Sequence, residues 1–242
     1  MCRMIAAPLG LPGSLLIDPF VRMARGENAT NEHNEKIGRW THANGWGAVV
    51  EDEGNLRVHR SVKACWEDAD LAALADERMF LLHARRKSVG GVSIEDTHPF
   101  EARIDGDLWV FCHNGTVRDP LPPSGEEAGS TDSEKVFRRL IPYIRGGRIL
   151  DGFREIYSAF SDFTSLNSFL LGPDEFWAVC LFTRNPNYYT LSLATTQDGP
   201  IVSSEPLAEF PDDRTPIPNG SAVEIDRRNG AVRFHDLGLA NA

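Results

Sequence analysis

The chain has 242 residues, 41% of them hydrophobic and 25% charged, which excludes a disordered, collagen-like or low-complexity protein. Asp and Glu number 35 against 25 Lys and Arg, a formal charge of -10, so nucleic acid and anionic membranes are poor partners. A chain of this length hides about 70% of its unfolded surface, enough for a substantial core.

Taken in chain order, residues 2–8 read as a short buried strand followed by a Pro/Gly loop. Residues 18–26 predict a short helix, with Asp18 as N-cap and Pro19 at the first helical position. Residues 27–44 are polar and read as loop. Residues 46–51 and 55–60 suggest a hairpin around Asp52, Glu53 and Gly54. A short helix follows at 69–76, then an almost continuously apolar strand at 78–83, the pattern of a strand covered on both faces. Residues 108–112 form another buried strand, which the turn pair Asn114-Gly115 is expected to end. The stretch 119–129 holds three prolines and two glycines and reads as loop. Thr131, Asp132, Ser133 and Glu134 then compose a capping box, Thr first and Glu three residues on. Behind it Val136, Phe137, Leu140, Ile141 and Ile144 share one helix face, with Pro142 in the last turn. A second helix covers 150–160, and 165–172, 175–182 and 189–195 read as antiparallel strands. Shorter strands follow at 200–203, 222–225 and 232–235. Strands, two helices and strands again fit an α+β layered fold better than an alternating one. With no repeat and no linker, one domain over residues 1–242 is expected.

No apolar run reaches the roughly 18–20 residues that span a bilayer. The apolar stretch 4–17 is broken by Pro8, Gly10, Pro12 and Gly13, is closed by Asp18, and has no small-residue cleavage site, so no secretory signal is expected. The four cysteines, Cys2, Cys65, Cys112 and Cys180, form no C-x-x-C pair, so neither a zinc site nor a disulfide framework is indicated. Such thiols suit a reducing, cytoplasmic setting. Cys2 stands apart. A small second residue permits removal of Met1, which would leave a free α-amino group beside a thiol. An α-amino group titrates near 7.7–8.0 and a thiol near about 8.5, so one residue would carry both a nucleophile and its base.

Four further segments stand out: His83-Ala84-Arg85-Arg86-Lys87-Ser88, Thr97-His98-Pro99-Phe100, Phe111-Cys112-His113-Asn114-Gly115 and Thr131-Asp132-Ser133-Glu134. Singly they are common things: a solvated basic face, a turn, a helix cap. Their order behind a Cys at position 2 is far more specific. His33, His42 and His59 have no metal-ligand spacing. His98, before Pro99, reads as loop support and His113 as strand-end packing. Trp40 and Trp46 read as core, and Cys65, Cys112 and Cys180 as buried thiols without a catalytic role.

With Asn44-Gly45-Trp46-Gly47, Leu166-Asn167-Ser168 and Ser203-Ser204-Glu205-Pro206-Leu207 added, these markers run from residue 2 to about 207. In that order they resemble the class II glutamine amidotransferases, members of the N-terminal nucleophile hydrolases. The likeness is closest to the small stand-alone members, among them uncharacterised bacterial amidotransferases and a γ-glutamyl hydrolase of ergothioneine synthesis. The resemblance implies a four-layer α/β/β/α sandwich of two antiparallel sheets. It implies hydrolysis of a γ-glutamyl amide, most simply glutamine, through a γ-glutamyl thioester. Cys2 would be the nucleophile with its α-amino group as base, and Asn114 and Gly115 the oxyanion donors. Arg85 would hold the substrate α-carboxylate and Asp132 its α-ammonium. No metal or organic cofactor is implied. Ammonia transfer would need a separate synthase subunit. Arg86 stands where many relatives carry Trp and Val89 where some carry His, which points to a γ-glutamyl substrate longer than glutamine. The competing readings are a non-catalytic subunit that binds glutamine or a γ-glutamyl ligand, and a structural subunit in which Cys2 only packs.

Overall fold

Strand β1 (Cys2–Pro12) organises the molecule because both of its faces are buried. Ile5, Ala7 and Leu11 enter one apolar layer, and Met4 and Ala6 enter the opposite one, as the two-residue period of a strand demands. The computed structural model describes residues 2–27, 40–88, 90–210 and 214–239. After β1 come α1 (Gly13–Ala24), β2 (Trp46–Asp52), β3 (Asn55–Ser61), α2 (Ala69–Ala72) and β4 (Arg78–Arg85). Then follow β5 (Phe100–Ile104), β6 (Asp107–Val117), α3 (Asp132–Arg145), α4 (Ile149–Ser158), β7 (Phe163–Leu171) and β8 (Glu175–Cys180). The chain continues with α5 (Pro186–Tyr189), β9 (Ser192–Thr196), β10 (Gly199–Ser203), β11 (Arg214–Pro216), β12 (Ser221–Asp226) and β13 (Val232–Asp236).

The strands form two sheets, a seven-stranded one in the order β11-β9-β10-β1-β4-β2-β3 and a six-stranded one in the order β13-β12-β8-β7-β6-β5. Met4, Leu81, Val110, Phe169, Val202 and Val223 pack between them. Helix α1 covers the outer face of the first sheet, Leu16, Phe20 and Met23 meeting Ile5 and Leu82. Helices α3 and α4 cover the second, Phe137, Leu140 and Phe153 meeting Phe111, Leu166 and Leu170. Three apolar layers therefore separate four structural ones, the α/β/β/α sandwich of antiparallel sheets that the resemblance implies.

Several sequence expectations need correction. The Pro/Gly stretch after Pro8 belongs to β1, which takes up the irregularity as a register shift between Ala6 and Leu11, with Gly10 at φ 81°. Helix α1 starts at Gly13, not Asp18, and Pro19 lies inside it. Burial of Leu16, Phe20 and Met23 outweighs the single hydrogen bond a proline removes. Asn114-Gly115 is not a turn: β6 runs through it, Asn114 opposite Asn167 and Gly115 opposite Leu166 on β7. Helix α2 is shorter than 69–76, α5 takes up Tyr188 and Tyr189, and β5 was not anticipated. The capping box is half made. Thr131 Oγ1 accepts from Glu134 N at 3.2 Å, but the Glu134 carboxylate turns instead to Ala128 N, Gly129 N and Arg138.

Candidate active site

Side-chain parity brings the site residues together. Cys2 shares its face of β1 with Met4 and Ala6, and Asn114 shares its face of β6 with Val110 and Cys112, so both point into the space between the sheets. They meet there: Cys2 N donates to Asn114 Oδ1 at 2.6 Å. An amide whose oxygen accepts from Cys2 N must present its nitrogen elsewhere, and Asn114 Nδ2 is buried without a hydrogen-bond partner. Cys2 is 5% exposed and lines a small cleft with Arg85, Arg86, His98, Gly115 and Asp132. All five residues singled out in the sequence thus stand at one place.

Gly115 is required here for packing between strands. A β-carbon would lie 1.8 Å from Ser165 O on β7. Its neighbour His113 explains that closeness, because one ring nitrogen sits 3.0 Å from Ser165 O and the other 2.8 Å from Ser133 Oγ. A carbonyl only accepts, so Nε2 carries the proton and Nδ1 accepts from Ser133. His113 therefore ties β6, β7 and the start of α3 together. Burial lowers its pKa and Asp132 opposes the shift.

Asp132, at the first position of α3, accepts Val117 N through Oδ2 at 2.7 Å, which locks its carboxylate beside the end of β6. Arg85 pairs with Cys2 across the β1–β4 ladder, and its Nη1 donates to Gly91 O at 2.7 Å. Gly91 belongs to the loop between β4 and β5, which Asp96 anchors by accepting Gly91 N at 2.5 Å and Ser130 N at 2.7 Å. Arg86 lies over the ring of Trp40 at 4.5 Å. Val89, His33 and Met1 lie outside the described residues.

Behind Cys2 the chain keeps a buried ion pair, Arg3 to Glu205 at 3.6 Å, with Arg3 also stacked 3.9 Å over Tyr188. Tyr188 Oη lies 3.2 Å from Cys2 O and 2.8 Å from His42 Nε2. Two residues given no site role in the sequence sit closer still: His98, read as loop support, and His83, part of the marker segment before Arg85. One ring nitrogen each of His83 and His98 lies with Cys2 Sγ in a group whose members are all within 4.8 Å of one another. Among the described residues this is the one cluster able to supply three metal ligands. The two rings are 4.2 Å apart. Burial, then the Arg85 guanidinium, lowers the His83 pKa to about 3, and burial with His83 itself holds His98 well below the usual imidazole range. His83 was legible in principle: two residues before Arg85 on one strand, it shares that face. The approach of His98 comes from the stacking of the sheets. All four cysteines are free and buried.

The class II glutamine amidotransferase family model matches residues 10–162, and the chain belongs to that family. A Haemophilus influenzae protein named "Putative glutamine amidotransferase" is 33% identical over 116 residues, 43% of this chain and 38% of its own length. The chain spans between 38% and 54% of the length of the curated relatives it matches. Among solved structures, glutamine phosphoribosylpyrophosphate amidotransferase from B. subtilis superposes with a TM-score of 0.68 at 12% identity, covering 98% of this chain and 49% of that one. A glutamine aminotransferase class-II domain protein from Silicibacter pomeroyi gives 0.55 at 21% identity, covering 81% and 96%. These structural likenesses carry the fold. No described helix is long and apolar enough to cross a membrane.

Proposed function

We propose that this chain hydrolyses the side-chain amide of L-glutamine or of a longer γ-glutamyl compound, with Cys2 as nucleophile. The supporting observation is the pairing of Cys2 N with Asn114 Oδ1, which leaves Asn114 Nδ2 buried and unpartnered. A polar atom held in that state costs stability, and its use is to meet a charge that exists only during reaction. A protein that merely bound glutamine would have no need of it.

With Met1 removed, the α-amino group of Cys2 takes the thiol proton, directly or through one water. The sulfur attacks the amide carbon. The oxyanion is met by Asn114 Nδ2 and the Gly115 N–H. Collapse expels ammonia, protonated by the α-ammonium, and leaves a γ-glutamyl thioester. Water then releases glutamate and restores the thiol. Arg85 receives the substrate α-carboxylate as a planar fork, and Asp132, already oriented by Val117 N, receives the α-ammonium. Arg86 over Trp40 lies beside the Arg85 end of the cleft and favours a substrate extended beyond the α-carboxylate. Ammonia is either released or passed to a separate synthase subunit. Free thiols suit a reducing cytoplasm.

The test is glutamate release from L-glutamine and a panel of γ-glutamyl amides, after intact mass has established loss of Met1. Cys2→Ala should lower release by about 10⁴-fold or more. Equal release from the variant would remove Cys2 from the mechanism.

A further inference from the structure

We propose that Cys2, His83 and His98 form a binding site for one borderline-soft divalent cation of the zinc class, whose occupancy reversibly silences the nucleophile. One thiolate and two neutral imidazoles are a donor set that such a cation favours. The three donor atoms lie within 4.8 Å of one another, and all three residues are buried. Tetrahedral bonds of about 2.0–2.3 Å place ligand atoms roughly 3.3–3.7 Å apart, so no pair has to close by more than about 1.5 Å.

The second observation is the state of the two rings. Both residues are buried, neither ring nitrogen of His98 has a hydrogen-bond partner, and those of His83 have only poorly aligned approaches to the His113 and His83 backbone. Buried polar atoms are normally partnered, and two adjacent imidazoles so weakly satisfied beside a thiol leave donor capacity that a ligand would use. The donors also come from a rigid frame. Cys2 and His83 stand on the paired strands β1 and β4, and His98 stands just ahead of β5 in the other sheet. Cys2 and His98 both line the cleft, so a fourth position is open to water.

Binding forms a metal–sulfur bond and releases the thiol proton to solvent, with no change of oxidation state. The sulfur lone pair is then engaged and does not attack an amide. Chelation restores it. The silencing rests on Cys2 being the nucleophile of the proposed hydrolysis; the metal site does not.

Cobalt(II) is the probe, added to the full chain lacking Met1. One equivalent should give visible bands of tetrahedral geometry together with a near-ultraviolet sulfur-to-cobalt charge-transfer band. That band should vanish in Cys2→Ser. Zn²⁺ affinity, read by chelator competition, should fall by more than about 100-fold in His83→Gln and in His98→Asn, since even an outer-shell partner is worth about 10- to 100-fold. In the unaltered protein Zn²⁺ should protect Cys2 from iodoacetamide, and a chelator should remove the protection, a readout that does not depend on any variant folding. A missing sulfur-to-cobalt band, or alkylation of Cys2 at one rate with and without Zn²⁺, overturns the proposal and leaves water between the rings. A cobalt spectrum of the expected form from a protein that releases no glutamate supports the metal site while sinking the hydrolase reading.

Discussion

The space between the two sheets opens at both ends, and the ends treat their polar groups in opposite ways. At the end remote from Cys2 lies the larger opening, about 400 Å³, lined by Leu9, Arg78, Phe80, Pro173 and Arg227. Its cations are satisfied. Arg227 donates to Pro8 O at 2.8 Å, to Pro173 O at 2.8 Å and to Gly172 O, and Arg78 reaches Leu9 O and Glu51. Both guanidinium groups stack on Phe80. None of the residues lining that opening holds a buried polar atom without a partner. At the Cys2 end the cleft is only about 20 Å³, yet it gathers the orphaned nitrogens of Asn114 and His98, with those of His83 behind. Volume therefore marks the end that ties strands together. Unmet hydrogen-bonding capacity marks the end where the proposed chemistry lies.

Acid should expose the contrast most strongly. His83 is held at a pKa of about 3, and His98 and His113 are shifted in the same direction by burial. As pH falls the unfolded chain takes up these protons first, so stability is full above about pH 6.5 and is lost between about 6.5 and 3. At pH 5 His83 alone should cost about 2 kcal/mol, with the other two adding in the same sense. Urea midpoints at pH 7.5 and 5 measure the loss. Hydrogen exchange should show the Cys2 ends of β4 and β6 loosening before the β12–β13 hairpin; uniform loosening would break the comparison.

Next in size, Asn114→Ala should lower kcat for glutamate release by about 10²–10³, with a much smaller change in KM. A loss confined to KM would mean that Asn114 holds substrate in the ground state. Gly115→Ala forces a methyl against Ser165 O and should cost about 1–3 kcal/mol of stability, read as a lowered Tm, because the backbone of β7 has to retreat. The smallest effect on chemistry is expected at the other end. Arg227→Met should lower Tm through lost carbonyl contacts while glutamate release stays within about twofold. Equal damage to kcat there would show that the two ends are not separate.

The candidate site residues are legible in the sequence through the family resemblance, and strand parity explains why they meet. The alternation of β1 puts Cys2 with Met4 and Ala6, and once β6 is known to run through Asn114 the same alternation puts it with Val110 and Cys112. Arg85 and Asp132, named through the resemblance, are carried by a strand end and a helix start that the sequence also marks. Asn114-Gly115 misleads because local turn propensity is weaker than a partner strand. Here β7 supplies Asn167 and Leu166 opposite, and Ser165 O demands glycine. Strand β5 carries a signal of its own, Asp105-Gly106 at φ 54° and 99°, the turn of the β5–β6 hairpin. The meeting of His83 with His98 has no local signal, since it depends on which sheet faces which.

Strand β1 has a consequence for how this scaffold could change. It is paired on both sides, by β10 and by β4, and its first residue is Cys2. A sulfur mounted there has almost no freedom to adjust to a new ligand. The loop between β4 and β5 is held on Asp96, Arg85 and Ser130, and it leaves Val92 48% and Ile94 41% exposed. Variation that leaves the sulfur where it is belongs at those exposed loop positions, not on β1.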